Sequence, residues 1–295
     1  MTDWTDSLPG RLPLYCRLTR LHRPIGILLL LWPTLWGLWF AAGGVPPPGI
    51  LVVFVLGTVL MRSAGCAIND YADRRIDGHV TRTRERPLAT GALQPQEALW
   101  VAGLLALLAL LLVLTTNGLT IAMALPAAFL AGSYPYTKRF LAIPQAYLGI
   151  AFGFGIPMGY AAVAGAVPPL AWLLLLANVF WSIAYDTEYA MVDRPDDQKL
   201  GIHSSALWFG HWDVAAVMLC YALALLLLVR AGQLAGLGPC WWLGLGGAAA
   251  ISLYHGWLIR HRDGSRCFQA FLHNNWWGAS VFTGLVLDRI SAHLN

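Results

Sequence analysis

Charge is scarce in this chain of 295 residues: 12% are Asp, Glu, Lys or Arg, while 58% are hydrophobic. A soluble domain carries about 25% charged residues, so an ordinary water-exposed globule is excluded. The shortage is also blockwise, as between Leu99 and Leu114, where no charge interrupts the apolar run. Roughly 20 such residues cross about 30 Å of hydrocarbon, and the charged amphipathic faces of a greasy soluble core are missing. Cysteine is sparse too. The five cysteines are scattered without any C-x-x-C pair, which argues against a cysteine metal knuckle. Cys66, Cys220 and Cys240 fall in expected spans, where cysteine behaves as a small apolar residue. No cleavable signal is expected, because the first apolar run is long enough to span and lacks a cleavage-like end.

What is present is a series of apolar segments. Hydropathy predicts an all-α integral membrane protein with nine transmembrane helices near 25–43, 50–72, 97–115, 117–134, 144–164, 168–188, 212–231, 237–259 and 270–288. Residues 1–24 read as a cytoplasmic or interfacial segment with a surface-lying stretch near Leu12–Leu21. Residues 25–295 read as one transmembrane domain, with spans 1–4 and 5–8 as two pseudo-repeats and a ninth span after them. Sixteen of the 19 Lys and Arg residues precede the first span or fall in every second loop, whereas the loops at 43–49 and 164–168 carry none. Basic loops stay cytoplasmic, which places the N-terminus inside.

Acidic residues concentrate in two stretches at cytoplasmic span ends. The first runs Asn69-Asp70-Tyr71-Ala72-Asp73-Arg74-Arg75-Ile76-Asp77, the second from Asp186 to Asp197. Asn69, Asp73 and Asp77 are spaced i, i+4 and i+8, which selects one helical stripe. Asp186, Asp193 and Asp197 do the same at i, i+7 and i+11, although Pro195 is expected to end or distort that helix. Charges at membrane depth are costly and mark functional sites. Five carboxylates on facing stripes repel unless a cation lies between them. Hard oxygen donors suit Mg²⁺, and magnesium clamping a diphosphate would activate it as a leaving group. Loop charges that merely mark the membrane surface are the plainer alternative, weakened by the matching positions in two halves.

Basic residues complete the pattern. Arg82 and Arg86 follow the first stripe, with Arg84 between them, and Lys138-Arg139 follows the fourth span; all are suited to a diphosphate leaving group or to topology alone. Arg62 lies inside the second span, seven residues before Asn69 and on the same face. An arginine in an apolar cavity suits a substrate carboxylate, with a structural ion pair or snorkelling as alternatives. His255 and His261 lack an evident ligand partner, and His203 falls in a loop; surface or interfacial positions are expected. The 14 tryptophans are expected mostly at the interfaces. Trp181 and Tyr185 could line a channel or simply pack.

These residues carry a resemblance. Asn69-Asp-x-x-Asp73-x-x-x-Asp77 and Tyr185-Asp186-x-x-Tyr189-Ala190-x-x-Asp193-x-x-x-Asp197 resemble the two signatures of the UbiA superfamily of intramembrane prenyltransferases. Arg23-Pro24-Ile25-Gly26, Leu31-Trp32-Pro33-Thr34-Leu35-Trp36, Arg86-Pro87-Leu88, Tyr134-Pro135-Tyr136 and Gly201-Ile202-His203-Ser204 are similar to its 4-hydroxybenzoate branch. The likeness covers roughly residues 20 to 210. It implies nine helices around a central cavity open to lipid, in a cell inner membrane, with the active site facing the cytoplasm. By motif match, Asn69, Asp73, Asp77, Asp186, Asp193 and Asp197 would hold Mg²⁺ and diphosphate. Lys138 would bind diphosphate, and Arg62 would lie beside the aromatic acid. The implied partners are polyprenyl diphosphate, 4-hydroxybenzoate and membrane lipid, without nucleic acid. Asp193 is the candidate for removing the ring proton. Pro195 departs from the acidic residue common in relatives and leaves the ligand choice between Asp196 and Asp197 open.

Three rivals frame that expectation. Relatives that prenylate haem, homogentisate or dihydroxynaphthoate differ in acceptor pocket. Transfer of phosphoalcohols from CDP donors needs an Asp-Gly-x-x-Ala-Arg element, but Asp77-Gly78 is followed by His79-Val80-Thr81-Arg82. A cation-coupled transporter would carry its acids near the bilayer midplane at broken helices, and here they stand at span ends.

Overall fold

A computed structural model describes residues 9–294, with side chains through residue 292. The described residues form helices and turns, with no strand among them. A short helix α1 (Leu12–Leu18) precedes α2 (Ile25–Ala42), α3 (Pro48–Asp73), α4 (Pro95–Val113) and α5 (Gly118–Thr137). There follow α6 (Pro144–Gly153), α7 (Gly155–Ala164), α8 (Pro169–Leu200), α9 (Ser205–Phe209), α10 (Asp213–Leu234), α11 (Pro239–Ile259) and α12 (Gly264–Leu294). Each of the nine expected apolar segments is helical; the fifth is interrupted at Phe154 between α6 and α7. Among the described residues, seven segments are long and apolar enough to cross a membrane: α2, α3, α4, α5, α6 with α7, α8, and α9 through α10. The two last helices, of 21 and 31 residues, stand apart because aromatic, His and Asn residues such as His255, Asn274 and Asn275 dilute their apolar runs. Of the expected N-terminal segment, residues 1–8 lie outside the described residues.

Local chemistry sets the helix ends. Proline in the first turn opens α3, α4, α6, α8 and α11, where its missing N–H costs nothing. At α4, Gln94 and Glu97 form a reciprocal cap, the Gln94 backbone N–H donating to Glu97 Oε2 at 2.7 Å. Asn117 accepts the Thr120 N–H at 2.9 Å and starts α5.

Two expectations about helix ends are corrected. The first acidic helix stops at Asp73, so Asp77 is not on its stripe but opens a 3-10 turn, Asp77–His79. Conversely, Pro195 does not end α8, which continues to Leu200. One N–H is lost at proline, but the helix end is secured by Gly201 in the left-handed region (φ 65°) and by the Ile202 N–H on the Asp197 carbonyl at 3.1 Å.

Packing closes the helices into a ring: α2, α3, α4, α5, α6, α8, α10, α11 and α12 follow one another, and α12 returns to α2. Where α11 meets α12, a Cβ on Gly244 or Gly284 would stand 2.8 Å from the other's Cα, so small residues permit the approach. The core is aromatic. Trp181 stacks on Trp277 at 4.8 Å and lies 5.3 Å from Trp36, all three fully buried. Trp241 is buried with them, so tryptophan here builds the core, while Trp100, Trp208 and Trp212 are exposed. Trp181 packs in this core and Tyr185, one turn on, reaches the cavity described next.

Candidate active site

A cavity of about 1050 Å³ opens between α2, α3, α5, α6, α8, α12 and the loop after α3. Helical periodicity builds its two charged walls. Arg62, Cys66, Asn69 and Asp73 line it from α3, and Asp186, Ala190, Asp193 and Asp197 line it from α8. The two sets share the spacing i, i+4, i+7, i+11, which is one face of each helix. Asp77, Arg82 and Arg86 enter from the loop, and Lys138 from the end of α5. Of the expected residues, Arg84, Arg139 and Asp196 are absent from this wall, and Asp196 accepts the Thr81 N–H at 3.1 Å instead; Arg139 is the clearest case. Its guanidinium turns away and donates to the Ala72 carbonyl at 3.0 Å, closing the end of α3. Both residues stand in the turn after Thr137, and of the two only Lys138 lines the cavity.

The carboxylates are paired with cations of the chain itself. Lys138 Nζ donates to Asp73 Oδ2. Arg82 grips Asp193 through Nε at 3.0 Å and Nη2 at 2.6 Å, and its guanidinium lies 4.4 Å from the Tyr189 ring centre. Arg86 bridges Asp77 at 2.9 Å and Asp70 at 3.0 Å. Burial opposes the Arg86 charge, but the Asp70 and Asp77 carboxylates outweigh it and raise the guanidinium above its ordinary value. Among the described residues, no three His, Cys, Asp or Glu side chains stand together as a ready metal cage. The repulsion expected to demand a metal is therefore met by arginine and lysine. Yet Asp73 Oδ1 is buried without a hydrogen-bond partner, and the other donors on the wall are the oxygens of Asn69, Asp77, Asp186, Asp193 and Asp197. An orphaned carboxylate oxygen among hard donors fits Mg²⁺.

Arg62 stands deeper in the same cavity. Its Nε is buried without an acceptor, and the guanidinium lies 5.3 Å from the Phe152 ring centre. Among the described residues it has no ion pair.

Several residues escaped the sequence reading. Asp70 belongs to the first motif but faces a separate clamp, paired with Arg20 at 2.8 Å as well as with Arg86. Gln145 accepts the Ser205 N–H at 2.9 Å and lies beside Asp186. His203 is an exposed loop residue, as expected, and it also lines the cavity, its backbone N–H donating to the Lys138 carbonyl at 3.0 Å. Behind α8, buried Asp213 takes Arg194 and Arg262, tying the helix end to the α11–α12 turn. His255, expected near the surface, is fully buried in a chain that runs from His273 (3.0 Å) through Tyr221 (2.9 Å) to Glu188. That chain joins four helix segments, and no local periodicity announces it.

Two signatures, a polar cavity at helix ends and the ring of helices now allow comparison with known proteins. Residues 30–278 match the UbiA prenyltransferase family. The chain belongs to that family. Among its curated relatives, the 4-hydroxybenzoate octaprenyltransferase of Aromatoleum aromaticum is 65% identical over 97% of both chains. That of Azoarcus sp. is 65% identical over 96% of this chain and 98% of its own, and that of Nitrosomonas europaea is 61% identical over 96% and 97%. The UbiA homologue of Aeropyrum pernix superposes with a TM-score of 0.80 at 23% identity, covering 89% of this chain and 97% of its own. A homologue from Archaeoglobus fulgidus, solved with GPP and Mg²⁺, gives 0.70 at 20% identity over 94% and 99%. These structures establish that this UbiA-family chain has the UbiA fold.

Proposed function

We infer that this chain transfers a polyprenyl group from polyprenyl diphosphate to the ring carbon ortho to the hydroxyl of 4-hydroxybenzoate, a step of ubiquinone biosynthesis. The observation that carries this reading is one cavity holding acidic and basic side chains at its mouth and an arginine without an acid partner deeper inside. Relatives 61–65% identical over nearly their whole length bear the name of that activity.

Asn69, Asp73, Asp77, Asp186, Asp193 and Asp197 would hold Mg²⁺ together with the diphosphate. When bound, the metal supplies positive charge that stabilises diphosphate as a leaving group. Lys138, Arg82 and Arg86 already stand at carboxylates on the cavity wall and can exchange a carboxylate oxygen for a phosphate oxygen of equal chemistry. The allylic C–O bond breaks with its electron pair going to the diphosphate. Tyr189, Phe268 and Phe271 line the apolar side of the cavity, where water is excluded from the allylic cation. Arg62 binds the acceptor carboxylate and turns the ring so that its ortho carbon meets that cation. Asp193 takes the displaced ring proton.

The same reading proposes nine crossings, with α11 and α12 spanning beside the seven apolar segments, as one domain of two pseudo-repeats. Placing the basic loops inside the cell sets the N-terminus and the cavity mouth at the cytoplasmic face of an inner membrane. Purified protein, geranyl diphosphate, 4-hydroxybenzoate and Mg²⁺ should yield prenylated hydroxybenzoate, and EDTA should abolish it. Diphosphate release without adduct would sink the acceptor assignment, and no release with short or long donors would sink the reaction.

A further inference from the structure

We propose that Gly26 is a specificity-determining residue: its missing side chain seats the Arg62 guanidinium where it can take the carboxylate of an aromatic acid. The proposal rests on the reading of Arg62 as the carboxylate-binding residue. Gly26 lies in the first turn of α2, buried against Arg62 of α3 on the cavity wall. A Cβ at this position would stand 2.6 Å from both Nε and Nη2 of Arg62 and 3.0 Å from Cζ. Real side chains do not tolerate such distances, so one partner must move.

The partner that moves is the guanidinium. It is the far end of a flexible side chain, whereas the alternative is a shift of two packed helices. The buried Nε has no acceptor to hold it in place, and the guanidinium lies 5.3 Å from the Phe152 ring centre. An alanine at position 26 therefore leaves the fold intact and re-aims the fork. Bidentate recognition of a carboxylate depends on that fork's plane. An uncharged acceptor, lacking the carboxylate, is indifferent to it. The diphosphate-binding residues sit two to three turns away along α3 and on other elements, so donor use stays unchanged.

The test compares 4-hydroxybenzoate with its uncharged methyl ester as acceptors, using the full-length protein, geranyl diphosphate and Mg²⁺. Variants are Gly26→Ala, Arg62→Ala, their double, Arg62→Gln, and Gly57→Ala on α3, where a Cβ meets nothing within 4 Å. Gly26→Ala should raise KM for the acid by roughly tenfold, the scale of one charged hydrogen bond. KM for the ester and for geranyl diphosphate should not change, nor should any parameter of Gly57→Ala. Arg62→Ala lacks every atom that the Cβ would meet, so adding Gly26→Ala to Arg62→Ala should have no further effect. If Gly26→Ala keeps the acid preference while Arg62→Gln loses it, the inference on Gly26 is overturned and the reading of Arg62 stands. If Arg62→Gln keeps the preference too, that reading falls and the inference with it. Equal losses from Gly26→Ala in wild-type and Arg62→Ala backgrounds, or loss of donor use as well, would show that position 26 acts on something other than the guanidinium.

Discussion

Replacing Arg86 by glutamine tests whether the acidic mouth is balanced by the chain's own cations. Arg86 is 16% exposed at its side chain and serves Asp77, 6% exposed, and Asp70, 1% exposed. At about 3 Å and an effective dielectric constant of about 20, each pair is worth roughly 5 kcal/mol before desolvation is counted. Removing one member of a buried pair costs about 3–5 kcal/mol. Asp70 keeps Arg20 at 2.8 Å, so most of the loss falls on Asp77 and the lower end, about 3 kcal/mol, is expected. The assay is a double-mutant cycle on unfolding in detergent, combining Arg86→Gln with Asp77→Asn. Neutralising Asp77 in the Arg86→Gln background should recover about 2 kcal/mol, because the uncompensated carboxylate is gone. Added Mg²⁺ should partly restore the single variant and not the double. Free energies that add within about 0.5 kcal/mol would refute the reasoning, since independent sites behave that way.

Other perturbations separate machinery from support. Asp73→Asn removes the negative charge and leaves a single oxygen where one served Lys138 and one stood orphaned, and should cut kcat at least ~100-fold in the prenyl-transfer assay; retained activity would dismiss Asp73 from the site. Asp213→Asn leaves Arg194 without its acid, with Arg262, 39% exposed at its side chain, losing less to screening. About 2–3 kcal/mol of stability should be lost, with a higher Mg²⁺ requirement as the end of α8 loosens, both read by melting against Mg²⁺ concentration. Glu188→Gln keeps the shape of a side chain outside the cavity: its oxygen still accepts from Asn274, and its amide donates to the Tyr221 oxygen, whose proton turns to Asn274 Oδ1 or His255. Its kcat/KM should stay within about threefold of wild type, whereas Asp186→Asn, two residues away and on the cavity face, should not.

Helix positions were readable in the chain because their causes are local. An apolar run long enough to span, a proline in the first turn and a basic loop all act over a few residues, and the segments from 25 to 288 formed where hydropathy placed them. The charged stripes were readable for the same reason: Asn69 with Asp73, and Asp186 with Asp193 and Asp197, share a face by helical geometry alone. Extrapolating that geometry past the helix end failed at Asp77, where the chain leaves α3 for a 3-10 turn and still delivers its carboxylate to the cavity. Excess caution failed at Pro195, where a capped end outweighs one missing hydrogen bond.

Tertiary packing decided the rest. Which basic residue faces which acid depends on contacts far apart in sequence, such as Arg82 with Asp193 and Lys138 with Asp73. Arg139 turned outward to the Ala72 carbonyl, while its neighbour took the inward direction. His255 became a core residue because Tyr221 and His273 arrive from other helices to satisfy it. A buried polar group needs partners wherever the fold brings them, and a span's own sequence records the need without recording who will meet it.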